Sequence, residues 1–290
     1  MKSYGICPAS CGEFVQGILD KEEYLCSYAI DLYSKAVLEE KLEDVQRGPY
    51  KSRMAIKSVF KRFGIPVREC RNISLQINSD IPVGKGMASS TADIGATIKA
   101  TLSLINKSLS NEDIAKLAAK IEPTDSIYLE KNSIFNPITG ETIKSLGNIE
   151  NGKVIILEPK KTLSTKRIRS IPDYNERKIR NKETIKEAFD LLEQGMTKND
   201  LNLIGRAATL SSLANENIHR KYQLNKIIEI SNSYGAYGVN IAHSGTVIGI
   251  IIDRDMNEKR LLELLYDAKI NSFYNKIYTS DIIDGGLRGK

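Results

Sequence analysis

One glycine-broken stretch carries most of the residues that could do chemistry in this 290-residue chain: Pro82, Val83, Gly84, Lys85, Gly86, Met87, Ala88, Ser89, Ser90 and Thr91. Before it, Ile73, Leu75 and Ile77 alternate with polar residues, the period of a half-buried strand. After it, Ile94, Ile98, Leu102 and Ile105 recur at helical spacing, with Gly95, Ala96 and Ala100 beside them, and Ser89 and Ser90 read as helix starters. Strand, glycine loop and helix start together aim backbone N–H groups and the positive end of a helix dipole at one spot, which suits a phosphate. Lys85 adds a cation, and the serine hydroxyls can ligate or orient Mg²⁺. The loop is not a Walker A sequence, because Gly84-Lys85 is followed by Gly86 and not by Ser or Thr. Nor does it have the Gly-x-Gly-x-x-Gly spacing of a dinucleotide site. Taken alone it also fits a plain turn with small residues for close helix packing.

Other polar clusters stand far off in sequence. Ser10, Glu13 and Gln16 lie in a small-residue stretch, Cys7–Gly17, that reads as a turn after an edge strand at Ser3–Ile6. Ser110-Asn111-Glu112-Asp113 resembles a capping box, and the helix it opens over 111–121 is stopped by Pro123. Glu122 and Asp125 therefore sit in a polar elbow at a helix end. His243 and Ser244 lie in a glycine-bearing stretch, Gly235–Gly249. With only two histidines, His219 and His243, a histidine base has few candidates.

Hydrophobic residues make up 41% of the chain and charged ones 27%, ordinary for a globular protein. No apolar run is long enough to span a bilayer, and the first residues lack an apolar signal core, so a cytoplasmic protein without membrane contact is expected. The net charge of +6 comes from 42 basic against 36 acidic residues, and much of the excess falls between Lys160 and Lys186. No aromatics interleave with these charges and no nucleic-acid motif accompanies them, so they read as a solvated helix face rather than an RNA surface. Cys7, Cys11, Cys26 and Cys70 are read as reduced thiols, and their spacing does not suit a zinc site.

The elements that must position these groups follow from periodicity. Strands are expected at Tyr24–Asp31, Lys35–Leu42, Phe135–Lys144, Glu150–Leu157, Val247–Ile252 and Ser272–Thr279. Helices are expected within Arg47–Phe63 and over Asp173–Met196, Asn199–Ala214, Lys221–Tyr234 and Asn257–Ala268. A strand-rich first half followed by alternating helices and strands is an α+β pattern, two halves with a cleft between them.

Three separated segments resemble the GHMP kinases, the superfamily of galactokinase, homoserine kinase, mevalonate kinase and phosphomevalonate kinase. Pro82-Val-Gly-Lys-Gly-Met-Ala-Ser-Ser-Thr-Ala92 resembles that family's phosphate loop, with Met87 and Ala88 in place of its commoner Leu and Gly. Cys7-Pro-Ala-Ser-Cys-Gly-Glu13 resembles its N-terminal substrate motif, with Ala9 for the common Gly. Gly235–Gly249 occupies the place of its third motif, with Gly245 alone where many members carry a run of glycines. Together with Glu122-Pro-Thr-Asp-Ser126 and Ala242-His-Ser-Gly-Thr246, these segments are most similar to the PduX-type L-threonine kinases, which supply phosphothreonine for assembling the cobalamin nucleotide loop.

The resemblance implies a two-part GHMP kinase fold, residues 1–159 and 160–290, with a nucleotide and substrate cleft between the halves. It implies ATP and Mg²⁺ as cofactors, and L-threonine or a similar amino-acid alcohol as substrate. Homoserine kinase, another small-alcohol kinase and a non-catalytic nucleotide-binding homologue are the alternatives. Pro82–Thr91 would hold the triphosphate, Ser90 and Glu122 would ligate the metal, and Asp125 would be the catalytic base or only orient the hydroxyl. Lys85 either neutralises phosphate charge or points to solvent. Glu13 either meets the acceptor's ammonium or caps a turn, with Ser10 and Gln16 beside it. His243 and Ser244 either line the acceptor cavity or pack as polar residues.

Overall fold

The computed structural model describes residues 1–45, 47–162, 170–243 and 245–290. Two long antiparallel strands, β1 (Lys2–Leu19) and β2 (Glu22–Glu40), open the chain. The helix α1 (Tyr50–Arg62) and strand β3 (Ile73–Ser79) precede the phosphate-type loop, and α2 (Ser89–Leu104) follows it. Next come α3 (Asn111–Ala119), β4 (Asn132–Asn136), β5 (Glu141–Gly147) and β6 (Gly152–Pro159). Four helices, α4 (Tyr174–Arg180), α5 (Lys182–Lys198), α6 (Leu201–Asn215) and α7 (Leu224–Tyr234), lead into β7 (Gly238–Ile241) and β8 (Ile248–Asp253). The chain ends with α8 (Glu258–Asp267), β9 (Tyr274–Ile283) and β10 (Arg288–Gly289).

The strands share one sheet in the order β10-β1-β7-β8-β6-β9-β2-β4-β5, with β3 beside β2 and β1 also paired to β2. Strands from late in the chain therefore lie between strands from its start. β6 and β8 show why a short, wholly apolar run makes a central strand. Val154 and Ile156 face one hydrophobic cluster while Ile155 and Leu157 face a second. Ile251 likewise faces the first cluster, and Ile248, Ile250 and Ile252 the second. A strand covered on both faces needs apolar residues at every position rather than alternate ones.

The α+β class holds, and several local expectations are corrected. The polar stretch Cys7–Gly17 is not a turn but the middle of β1, whose register to β2 shifts between Pro8 and Ala9 and on both sides of Glu13. Such bulges re-aim side chains without ending a strand, and small polar residues tolerate them. Tyr24–Asp31 and Lys35–Leu42 are likewise one strand. The helix expected over 173–196 is two, broken at Asn181. Strand β7 was absent from the sequence reading because four residues are too few for a period to register.

α2 is the helix packed most deeply. Ile94, Ile98, Ala100 and Leu102 are all buried, and the Ser3 hydroxyl of β1 donates to Ala100 O at 2.8 Å. The four cysteines are free and buried. No helix among the described residues is long and apolar enough to cross a membrane.

Candidate active site

The start of α2 lacks a side-chain cap. Its N-cap residue is Ala88, not a serine, held in the left-handed region at φ 59° and ψ 25°, and Ser89 and Ser90 fall inside the first turn. Ser and Thr caps satisfy the first N–H groups from within the chain. With Ala88 in that place, the first-turn N–H groups face outward for an anion.

The loop ahead of the helix is braced from behind. Thr246 N and Val247 N both donate to Lys85 O, at 3.1 and 3.0 Å. Gly86 lies at φ +87°, and a Cβ there would stand 2.7 Å from Gly245 Cα. A Cβ on Gly245 would in turn run into the Gly86 and Lys85 backbone. Gly245 of the third motif is thus the glycine the phosphate-type loop rests on. On the other side, Ser10 N donates to Met87 O at 3.3 Å, tying β1 to the loop. Val83 remains exposed.

Lys85 does not take the position that its place in the loop suggested. It is 8% exposed, and its ammonium donates to the carbonyls of Pro159, Lys160 and Lys161 at 2.7, 3.1 and 3.4 Å. It is a strut between the loop and the end of β6, its three protons already placed. The cation at the helix start is instead Lys51 of α1, which the sequence reading missed. Lys51 Nζ donates to Ser90 Oγ at 3.1 Å and pairs with Glu122, and Ser90 Oγ also donates to Glu122. Nothing in the α1 sequence sets Lys51 apart from its neighbouring lysines; only the crossing of α1 over α2 selects it.

Asp125 lies one step from this trio. Thr91 Oγ1 donates to Asp125 Oδ2 at 3.2 Å, while Tyr128 OH, donating to Thr91 O at 2.7 Å, anchors the same turn of α2. Ser126 fixes the elbow to β2, accepting from Ser27 N at 3.1 Å. Asp125 and Glu13 form a hydrogen-bonded carboxyl pair. Burial raises both above the usual carboxylate range, reinforced by the Asp125 charge at Glu13 and by the Glu122 charge at Asp125. A hydrogen bond between two carboxyls needs a proton on one of them, so the pair does not carry two charges. The other Glu13 oxygen, Oε2, accepts from His243 N at 2.7 Å. That bond draws the third motif onto β1.

Three further candidates are held differently from one another. Ser10 and Gln16 are almost fully buried. Gln16 Nε2 donates to Ile241 O at 3.3 Å, and its main chain bonds Ser211 and Asn215 of α6, so Gln16 joins β1 to β7 and α6. The His243 ring is gripped at Nε2 by Tyr174 OH and Glu23 Oε1, both at 2.9 Å. Ser244 lies outside the described residues. Part of the Lys160–Lys186 stretch does too, but Lys178 departs from a solvated face: it is 2% exposed and paired with Glu23 at 2.9 Å.

The donor set suits Mg²⁺. One carboxylate and one hydroxyl oxygen at a phosphate cradle match a hard cation that keeps waters and phosphate oxygens in its shell. Among the described residues no group of three or more His, Cys, Asp or Glu is placed to hold a metal.

An uncapped helix start, a braced glycine loop and a carboxylate beside it are suited to phosphoryl transfer. Two family models match the chain, the GHMP kinases N-terminal domain over residues 50–128 and the GHMP kinases C-terminal domain over residues 187–268. The chain belongs to the GHMP kinases and is a small-molecule kinase of that family. Over 284 residues it is 32% identical to an L-threonine kinase of Salmonella typhimurium, covering 97% of this chain and 94% of that one. An L-threonine kinase of Citrobacter freundii is 28% identical over 282 residues, covering 97% of each chain. In fold it is similar to the crystal structure of a homoserine kinase from Cytophaga hutchinsonii, with a TM-score of 0.72 at 17% identity over 100% of this chain and 97% of that one.

Proposed function

We propose that the protein transfers the γ-phosphoryl group of ATP to the hydroxyl of a small amino acid, L-threonine above the other acceptors, giving O-phospho-L-threonine. The observation that carries this reading is Asp125, held by Thr91 and Glu13 beside the uncapped start of α2. The similarity to two L-threonine kinases over nearly the whole chain supports the choice of acceptor. A role for the product in cobalamin assembly is part of the same reading and rests on the resemblance of the motifs.

In this reading Pro82–Thr91 cradles the triphosphate with backbone N–H groups, and Ser90 Oγ and the Glu122 carboxylate hold Mg²⁺. When bound, Mg²⁺ neutralises phosphate charge. Positioning and charge stabilisation carry most of phosphoryl transfer. Thr91 and Glu13 orient Asp125, and Asp125 accepts the hydroxyl proton of the acceptor. Lys51 supplies the mobile cation to the phosphates, and Lys85 keeps the loop in place. The division into residues 1–159 and 160–290 belongs to this reading as well, with the loop and Asp125 in the first part and the third motif in the second.

The two lysines separate cleanly by experiment. Lys51→Met is expected to weaken ATP binding, measured by calorimetry, by about 10- to 100-fold with unchanged folding, as for loss of one charged hydrogen bond. Lys85→Met leaves three carbonyls without a donor and is expected to cost about 1–3 kcal/mol in denaturant unfolding. The reading as a whole is tested by ADP release with threonine, serine, homoserine, mevalonate and galactose as acceptors. Threonine should lead; equal turnover across the panel, or none with threonine, removes the assignment.

A further inference from the structure

Lys51, Ser90 and Glu122 touch one another pairwise. Lys51 Nζ donates to Ser90 Oγ at 3.1 Å and pairs with the Glu122 carboxylate, and Ser90 Oγ donates to that same carboxylate. The hydroxyl and the carboxylate that suit Mg²⁺ are thus already bridged by a cation, and the cation is a side chain of α1. Mg²⁺ binds oxygen at about 2.0–2.1 Å, so an ion holding Ser90 Oγ and Glu122 together comes to lie where the ammonium stands. Two positive charges repel at that distance, and an ammonium and a metal ion exclude one another there.

The carboxylates on either side are committed elsewhere. Asp93, one turn along α2 from Ser90, accepts from Ser34 Oγ at 2.6 Å, and Asp125 accepts from Thr91 Oγ1 at 3.2 Å. Burial raises both, and the Glu122 charge adds to the rise in each. Glu122 is therefore the carboxylate whose charge acts on its neighbours and calls for a positive partner, which Lys51 supplies. Lys51 can also leave. Its side chain is 45% exposed against 17% for Glu122, and it sits in the first turn of α1. An ion pair with so exposed a partner shifts an equilibrium by about fivefold or less. A triphosphate at the start of α2 offers the ammonium several charged oxygens at once.

We propose that Lys51 holds the place of the metal between Ser90 and Glu122 and yields it when nucleotide phosphate draws the ammonium away. Divalent metal and nucleotide then bind as a pair, and the nucleotide-free site turns the metal away. This rests on the phosphotransfer reading above, from which the two metal ligands come, and adds the device that keeps them from taking metal alone. By linkage, the factor by which nucleotide strengthens metal binding is the factor by which metal strengthens nucleotide binding.

The test titrates Mn²⁺, a divalent ion that also takes oxygen ligands, into nucleotide-free protein and counts the free ion by electron paramagnetic resonance. Lys51→Met should bind Mn²⁺ at least about fivefold more tightly than the wild type, the factor of the lost pair, and adding Glu122→Gln should abolish the gained site. With ADP present, and Mn²⁺ held by ADP in solution subtracted, the tightening of Mn²⁺ should be larger in the wild type than in Lys51→Met. A lysine that only tethers α1 to α2 would leave Mn²⁺ affinity unchanged or weaken it when removed. Equal binding by wild type and Lys51→Met, or no Glu122-dependent site in the variant, overturns the inference. If Lys51→Met does not fold, the wild type decides: a Glu122-dependent Mn²⁺ site as tight without ADP as with it has the same consequence. Either failure leaves the kinase reading standing, because phosphorylation of threonine is measured separately.

Discussion

Replacing Asp125 with Asn should reduce kcat by about 10²- to 10⁴-fold, the range for loss of a positioned general base, while ATP affinity stays at the wild-type value. The substitution is suited to the question because the amide keeps the side chain's size and an oxygen to accept from Thr91 Oγ1, and it leaves the elbow at Ser126 in place. What it removes is the charge that accepts the hydroxyl proton. The pH profile makes a second, independent prediction. Burial, reinforced by the Glu122 charge, raises Asp125, and the Thr91 and Glu13 hydrogen bonds oppose that rise without cancelling it. A base must be ionised to act, so kcat/KM should rise with pH along an acid limb whose midpoint lies above the ordinary aspartate value of about 3.9. In Asp125→Asn that limb should vanish. Unchanged turnover in the variant would remove Asp125 from its role.

Gly245→Ala is the change with the largest expected structural effect. The new Cβ would meet Gly86 Cα, Gly86 N and Lys85 O, all backbone atoms that cannot swing aside as a side-chain end would. Overpacking of this kind costs about 1–3 kcal/mol, and here the strain falls on the loop itself. ATP binding should therefore suffer along with stability. Gly235→Ala serves as the comparison, because Gly235, at a positive φ of +90°, has no neighbour within 4 Å of a new Cβ. Its cost should be the backbone strain alone, on the order of 1 kcal/mol, with ATP affinity unchanged. Equal effects of the two substitutions on ATP binding would contradict the bracing of the loop by the third motif.

These two sites show what could be read from residues alone. The strand, loop and helix around Pro82–Thr91 were legible because a period-2 run, two glycines and a period-3.6 run follow one another without interruption. The elbow at Glu122–Ser126 was legible because Pro123 must end a helix. Cys7–Gly17 misled as a turn, since bulged strands use the same small polar residues as turns, and only pairing to β2 distinguishes them. Lys85 misled for another reason. A lysine in a glycine loop reads as a phosphate cation, yet the carbonyls that occupy it come from residues 159–161, some 75 positions later. Lys51 gave no local signal, because it is selected by the crossing of α1 over α2. The hydrogen bond between Glu13 and Asp125 is likewise a tertiary fact.

Phosphorus-31 NMR of L-threonine, ATP and Mg²⁺ incubated with the wild-type protein bears most directly on the proposed reaction. A phosphomonoester resonance matching authentic O-phospho-L-threonine should grow as the ATP γ-phosphate resonance declines, and should be absent with Asp125→Asn. If the γ-phosphate is lost only to inorganic phosphate, or is not consumed at all, the protein is not the kinase proposed here.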